Sequence, residues 1–363
     1  MSVHVVISDT HAPDIIQEVF EDVRERVLKE FLVDAIVING DLLGVFSMKN
    51  SSVHKKQSIT RSDRERYLRL AAPQWYAQYN MPRLLGQEEI LAYVRERYKW
   101  VVKVLKEFSE LAPTYWNMGN HESPLHFLVL RELSFLLGVE LPRVPDARLQ
   151  EVFVAHEQEL GLLELTHDFV YLRTKPIVKG DTLVLAIPGE SHDAVGSHKP
   201  ALAQEQRTKQ VITQAKALLP QVSKLIIYNH TQGSYDKATG MFSPASSAAK
   251  EFLRSLPSSL EHVVWVQSHN HWGFTQYLRR EDVSFVLNNA GLHAGIYNVL
   301  DVGDSVRVFD VHTRTDKISE LVISSQEVSE DQKLEVIKRN YKNFMDIFLH
   351  RKMLLGSDQP IRK

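Results

Sequence analysis

The chain has 363 residues, with 43 Lys or Arg against 45 Asp or Glu, so its formal net charge at pH 7 is −2. This balance excludes a global basic field that would hold nucleic acid, although a local basic patch stays open. Cysteine is absent, which excludes disulfides, cysteine-ligated zinc and thiol nucleophiles.

The N-terminal region alternates strand and helix patterns. Val3–Ile7 predicts a first strand, apolar residues recur at helical spacing from Ile15 to Phe31, and Ala35–Ile38 predicts a second strand. This order predicts a right-handed crossover and a parallel strand pair, with the two following loops side by side. The first apolar run has no basic leader, and no apolar stretch approaches the roughly 20 residues that cross a bilayer. We therefore expect a cytoplasmic protein with no membrane partner.

Residues 45–111 are predicted to form a helical insertion between core elements. The segment opens with basic residues from Lys49 to Arg69 and continues with a helical pattern over Ile90–Phe108. Connections of this length are usually functional or separately structured. A cap beside the active site and a helical hairpin that only extends the core are both open. The basic cluster fits an anionic substrate or nucleic acid, but charge runs are more often solvated faces, so nucleic acid is not the favoured partner.

The second half of the chain predicts more strands. Three buried strands are expected over Leu183–Ile187, Leu225–Tyr228 and Val263–Gln267, with a helix over Ala201–Leu219 between the first two. Four short strands with turns between them follow, and they predict an antiparallel sheet: Phe274–Leu278, Ser284–Asn288, Tyr297–Val302 and Ser305–Val311. The pattern as a whole predicts two sheets packed face to face with helices outside. We assign residues 1–44 and 112–320 to this core.

Residues 321–363 are predicted to be a C-terminal helical extension. The stretch from Ser329 to Leu355 is amphipathic at helical spacing. Such a helix packs on the core or on a second subunit, so a homo-oligomer through this segment is open.

Metal-ligating residue types recur where the predicted strands end. Five motifs follow in chain order: Ser8-Asp9-Thr10-His11, Asn39-Gly40-Asp41, Gly119-Asn120-His121-Glu122, Asn229-His230 and Ser268-His269-Asn270-His271. Ligands bind at the carboxyl ends of strands in α/β sheets. Oxygen and imidazole ligands that converge there predict a site for divalent metal ions.

The order of these five motifs resembles the calcineurin-like metallophosphoesterase superfamily, over the chain from Asp9 to His271. The resemblance implies an α/β sandwich in which two mixed β-sheets pack face to face with flanking helices, in four layers. Two positions depart from the family pattern. Ser268 stands where the family usually has Gly, and Gly44 stands where some members carry an acid.

The resemblance also implies a role for each motif residue. Asp9, His11 and His271 would hold a first metal ion. Asn120, His230 and His269 would hold a second, and Asp41 would bridge both. The cofactors would be two divalent ions, with manganese expected first and iron, zinc or nickel as alternatives.

His121 is implied to be the catalytic acid rather than a ligand. A hydroxide shared by the two metals would attack phosphorus, and His121 would protonate the leaving oxygen. Glu122 is a candidate to orient His121. His192 is a candidate to contact the substrate phosphate, with a solvent-exposed loop histidine as an equal alternative. The turn Asn288-Asn289-Ala290-Gly291, after the last motif, is expected to be structural.

The expected activity is that of a metal-dependent phosphoesterase, a hydrolase of phosphomonoesters or phosphodiesters of small, nucleotide-like molecules. One alternative is a nuclease of the repair type, which the basic insertion and its aromatic residues favour. Another is a non-catalytic scaffold, against which the full ligand set counts. Protein phosphatase activity is disfavoured because Asp41-Leu42-Leu43-Gly44 lacks the charged continuation of that branch.

Overall fold

A computed structural model of the protein describes residues 2–10, 13–42, 86–119, 122, 144–172, 175–187, 198–230, 234–235, 242–243, 246–269, 275–278, 283–289, 295–313, 315 and 317–321. Strands and helices are numbered in chain order below.

The first sheet contains seven strands within these ranges: β1 (Ser2–Ile7), β2 (Ala35–Asn39), β3 (Thr114–Asn117), β4 (Phe169–Tyr171), β13 (Ile296–Val302), β14 (Val306–His312) and β15 (Ile318–Glu320). Their order across the sheet is β15-β14-β13-β1-β2-β3-β4. Strands β1 to β4 run parallel, and β13 to β15 continue the sheet with antiparallel pairs. The predicted parallel pair of the first two strands is confirmed.

The second sheet contains six strands in the described part of the chain: β5 (Ile177–Lys179), β6 (Thr182–Ile187), β7 (Lys224–Asn229), β10 (His262–Gln267), β11 (Gln276–Leu278) and β12 (Phe285–Asn288). Their order is β11-β12-β10-β7-β6-β5, with parallel pairs in the centre and an antiparallel strand at each edge. Two short strands, β8 (Ser234–Tyr235) and β9 (Phe242–Ser243), pair separately.

The helices lie between the strands in sequence: α1 (Pro13–Asp22), α2 (Gln87–Ser109), α3 (Asp146–Thr166), α4 (His198–Leu218) and α5 (Ser247–Arg254). Helix α1 continues through a π-helical stretch, Val23–Val27, and a last turn, Leu28–Glu30. At the start of helix α2, the Glu89 side chain accepts a hydrogen bond from the Gly86 N–H. None of the helices described combines the length and the apolar character that a membrane span needs.

Alternating side chains on the central strands build a four-layer arrangement. On β1, Val3, Val5 and Ile7 pack into a core shared with helices α1, α2 and α3, whereas Val6 faces a core between the two sheets. The opposite face of the second sheet packs against α4 and α5. The fold is therefore an α/β sandwich of two mixed sheets, packed face to face with flanking helices, as the sequence predicts.

The expectation of a separate antiparallel sheet after residue 274 is wrong. Strand β12 pairs parallel with β10 in the second sheet, and β13 pairs antiparallel with β1 in the first. A short turn makes the two strands of a hairpin antiparallel, but it does not determine which other strand the hairpin pairs with. The central strands need ladder partners on both edges, so the two hairpins are divided between the sheets.

The described part of the predicted insertion, helix α2, packs against the first sheet. Helix α2 buries Leu91, Val101, Leu105 and Phe108 in the cluster beneath the first sheet. Residues 45–85, on which the cap prediction depends, and residues 322–363 lie outside the described residues. The predicted domain boundaries and the predicted oligomer contact therefore stay predictions.

Candidate metal centre

Four of the predicted ligands lie at the carboxyl ends of central strands from both sheets. β1 and β2 end two residues before Asp9 and Asp41, while β7 and β10 end one and two residues before His230 and His269. Ligand atoms of Asp41, His230 and His269 all lie within 4.8 Å of one another. The Nε2 atom of His230 is 3.0 Å from Asp41 Oδ2, and the His269 N–H donates to Asp9 Oδ2 at 3.1 Å. Residues up to 260 positions apart are thus neighbours.

Backbone strain marks three of these four residues. Among the residues that the structure describes, the non-glycine residues with positive φ are Asp9 (52°), Asp41 (54°) and His269 (74°). Positive φ is uncommon for such residues, and strained positions of this kind cluster at functional sites. All three strained residues were predicted as metal ligands from the sequence.

Tight loop packing holds the strained residues in place. The Asp9 N–H donates to Gly40 O at 3.2 Å and the Thr10 N–H donates to Asp41 O at 3.1 Å, so the loops after β1 and β2 are paired. Gly40 has φ of 86°, and a Cβ built on it would lie 2.5 Å from His230 Nδ1. The loop can approach the His230 ring only because this position has no side chain.

The site is buried and carries negative charge. Asp9, Asp41 and His230 are all 0% exposed. Burial by itself lowers the pKa of His230, but the Asp41 carboxylate, with help from Asp9, raises that pKa above its ordinary value. The same negative potential favours a bound cation.

The donor set has the chemistry of a metal site. Two carboxylates supply hard oxygen ligands and two imidazoles supply nitrogen ligands, and both donor types bind divalent metal ions. The carboxylates and rings approach one another from four separate loops. Asp41, His230 and His269 thus form a candidate metal-binding group, and Asp9 contacts it through the His269 N–H.

The structure gives Glu122 a role that the sequence did not predict. Its Oε2 atom accepts hydrogen bonds from the N–H groups of Asp41 at 3.0 Å and Gly119 at 2.8 Å. Its backbone oxygen accepts a hydrogen bond from Tyr98 OH at 2.6 Å. Glu122 therefore ties the loop after β3 to the loop that carries Asp41. Whether it also orients His121 stays a prediction.

Asparagines at strand ends form a layer beneath the candidate ligands. Asn39, Asn117 and Asn229 are the last residues of β2, β3 and β7. Asn117 Nδ2 donates to Asn39 Oδ1 at 2.7 Å, and Asn39 Nδ2 donates to Asn229 O at 3.2 Å. This chain of bonds joins the two sheets directly below the site. The sequence offered a signal for it, because the same residue type closes three apolar runs.

Asn289 has the structural role expected from the sequence. Its Oδ1 accepts a hydrogen bond from Ser8 Oγ at 2.9 Å, and its Nδ2 donates to Val6 O at 3.2 Å. Asn289, directly after β12, is thus held against the end of β1, close to Asp9 in sequence.

The remaining predicted site residues lie outside the described residues: His11, Asn120, His121, His192 and His271. Their roles stay predictions, and so does the division of ligands between two ions.

No protein-family model and no curated protein matches the chain. Solved structures that resemble it include GAP50, the anchor in the inner membrane complex of Plasmodium, with a TM-score of 0.42 and 8% identity over 94% of both chains. A 5'-nucleotidase from Candida albicans has a TM-score of 0.35 and 12% identity, over 95% of this chain and 58% of the nucleotidase. This chain thus spans less than two thirds of the nucleotidase. At such low TM-scores, neither likeness bears on the activity of this chain.

Proposed function

We propose that the protein is a metal-dependent phosphoesterase of the calcineurin-like metallophosphoesterase type, which hydrolyses phosphomonoesters or phosphodiesters of small molecules. The supporting observation is the convergence of Asp41, His230 and His269, with ligand atoms within 4.8 Å, from three strands in two sheets. Asp9 contacts the same group through the His269 N–H. These are the residues that the motif order marks as ligands.

The described residues would hold the ions and fix their positions. The Asp41 carboxylate, from the first sheet, lies 3.0 Å from His230 Nε2 of the second sheet. Asp9, Asp41 and His269 have positive φ and follow three different strands. Divalent ions at this site would supply Lewis-acid stabilisation of the charge that builds up on phosphoryl oxygens. We assign His121 to proton donation to the leaving oxygen, and His192 to contact with the substrate phosphate.

The proposal is tested by turnover assays on the full chain. Protein freed of metal is supplied with Mn²⁺, Fe²⁺, Zn²⁺ or Ni²⁺ and offered p-nitrophenyl phosphate, bis-p-nitrophenyl phosphate, a nucleotide panel and single-stranded DNA. We expect hydrolysis of at least one small ester. Cleavage of DNA alone, with steep salt dependence, would favour the nuclease instead. If no substrate is hydrolysed with any of the metals, the enzyme assignment is overturned and the non-catalytic scaffold is favoured instead.

Two substitutions separate the roles in this assay. Asp41→Asn should lower turnover by more than about 100-fold, beyond the loss typical of a residue that only supports a ligand. His121→Asn should keep metal binding and slow turnover by roughly 10²–10⁴-fold. Asp304→Asn is the matched control, because Asp304 is exposed and follows β13 at the end of the sheet opposite Asp9.

A further inference from the structure

We propose that Ser268 and Asn39 position the His230 ring so that Nε2 is the metal-binding nitrogen. This inference rests on the proposed function, and it adds two residues to the site that are not themselves ligands. Ser268 stands where the resembling family usually has Gly, so its hydroxyl belongs to this chain and not to the shared motif.

The first step is the protonation of the ring nitrogens. His230 Nδ1 lies 2.9 Å from the backbone oxygen of Asn39. A carbonyl oxygen only accepts hydrogen bonds, so Nδ1 carries the proton in this pair. The opposite nitrogen, Nε2, is the atom that lies 3.0 Å from Asp41 Oδ2. The Asn39 carbonyl thus selects which nitrogen faces the other candidate ligands, as outer partners of metal-binding histidines do.

The second step is the contact of Ser268 with the same carbonyl. Ser268 Oγ donates to Asn39 O at 3.1 Å and accepts from Asn39 Nδ2 at 3.2 Å. The hydroxyl is 3.2 Å from His230 Nδ1. It therefore joins the main chain and the side chain of Asn39 and lies against the edge of the imidazole. Ser268 is 3% exposed, so water does not readily take its place.

The third step is the anchoring of Asn39 itself. Its side chain is held by Asn117 Nδ2 from β3 and by Asn229 O from β7, and Asn39 is 0% exposed. The carbonyl that orients His230 is thus fixed by contacts with both sheets. Loss of the Ser268 hydroxyl would remove one bond from Asn39 Nδ2 and one from Asn39 O. The ring would keep its direct bond but turn more freely.

The experiment measures Co²⁺ binding by calorimetry on the full chain freed of metal. Ser268→Ala and Ser268→Gly should bind Co²⁺ about tenfold more weakly than the wild type, at the lower end of the usual effect of an outer partner. Ser268→Thr keeps a hydroxyl and should retain most of the affinity. Ser109→Ala is the matched control, because the buried Ser109 hydroxyl donates to Lys106 O at the end of α2, and its Co²⁺ affinity should stay unchanged.

A second readout follows the ring proton by NMR with ¹⁵N-labelled histidine. The Nδ1–H signal of His230, assigned by its loss in His230→Gln, should exchange slowly with water in the wild type and Ser109→Ala. It should exchange faster in Ser268→Ala and Ser268→Gly. These spectra are recorded without metal and with Zn²⁺.

The two readouts distinguish failure of this inference from failure of the proposed function. Wild-type protein that binds no Co²⁺ would refute the metal centre, while the metal-free spectra would still decide whether Ser268 holds the ring. Wild-type affinity together with slow Nδ1–H exchange in both Ser268→Ala and Ser268→Gly would overturn the inference. An Nδ1 without a proton in the wild type would overturn it as well.

Discussion

Glu122 shows how a single buried side chain supports the candidate metal centre. The carboxylate accepts two backbone N–H groups, one from Asp41 and one from Gly119, and it is 0% exposed. The residue lies beside the catalytic candidate His121 in sequence, yet the contacts described here join it to the loop of a different strand.

Substitution of Glu122 should lower the free energy of unfolding, and the decrease should grow with the number of hydrogen-bond acceptors that are lost. Glu122→Ala removes the acceptor that two buried N–H groups share, and each such loss costs about 1–3 kcal/mol, so we expect the free energy of unfolding to fall by about 3 kcal/mol. Glu122→Gln keeps one side-chain oxygen and should lose about 1 kcal/mol. Urea unfolding followed by circular dichroism measures both. Glu151→Ala, at an exposed position of α3, should change stability by less than about 0.5 kcal/mol. Equal losses for Glu122→Ala and Glu122→Gln would contradict this account.

The sequence places the candidate ligands at strand ends, but it does not reveal the residues that support them. Asp9, Asp41, His230 and His269 follow apolar runs, and local pattern marks them as strand-end residues. The distant partners of these supporting residues, such as Ser268 and Asn117 for Asn39 and Asp41 for Glu122, are set by the packing of strands and sheets, across separations of 78 to 229 positions. No local pattern specifies which strand ends meet at such distances.

The loops that follow the strands depend on close backbone approach, and Gly40 is one of the points where this approach is tight. A Cβ at Gly40 would lie 2.5 Å from His230 Nδ1 and 2.7 Å from Gly119 Cα. Gly180, in the turn between β5 and β6, also has positive φ (60°), but a Cβ there would meet nothing within 4 Å. Both glycines thus adopt positive φ, but atoms of other residues lie close to Gly40 and not to Gly180.

Alanine substitutions at Gly40 and Gly180 should distinguish the free-energy cost of positive φ from the cost of steric overlap. Gly180→Ala carries only the cost of positive φ, about 1–2 kcal/mol. Gly40→Ala adds an overlap with the His230 ring, so we expect a loss at least about 2 kcal/mol larger, within the range for overpacked sites. Denaturant unfolding of both variants gives the difference. Similar losses for the two variants would show that the loop after β2 relaxes around the added methyl group.

Helices and strands could be predicted from the sequence where their apolar residues mark one face. They could not be predicted where the apolar residues mark no single face. The parallel pair β1–β2 and the strands β6, β7 and β10 follow from short β-branched runs. Helix α3 was not predicted. It buries Leu149, Phe153 and Leu160 but also exposes Leu162 (62%) and Leu165 (83%), so its apolar residues do not mark one face.

The packing of the two sheets against each other contains a buried histidine. His4 of β1 is 0% exposed, its Nδ1 lies 2.7 Å from Tyr228 OH of β7, and its Nε2 lies 2.9 Å from Ser2 Oγ. Burial lowers the pKa of His4 to about 4. The folded protein therefore holds this ring neutral, between the two sheets.

This histidine should make stability fall in mild acid. In the unfolded chain, His4 takes up a proton near pH 6.5, whereas in the folded chain it does so only near pH 4. The stabilisation that comes from the neutral His4 ring is therefore complete above pH 6.5 and is lost as the pH falls toward 4. At pH 5 the loss amounts to about 2 kcal/mol. In His4→Gln, the drop in unfolding free energy between pH 7 and pH 5 should be smaller by about that amount. An identical pH dependence in wild type and variant would show that His4 is not the titrating group.

The most direct test of the proposed function is a count of bound metal ions. Equilibrium dialysis of the full chain against Mn²⁺, followed by elemental analysis, should give about two ions per chain for the wild type, as expected for a two-metal hydrolase. Asp41→Asn should retain less than one, while Asp304→Asn should match the wild type. A wild-type chain that retains no ion, or an Asp41→Asn chain that retains as many as the wild type, would contradict the metal centre proposed for Asp9, Asp41, His230 and His269.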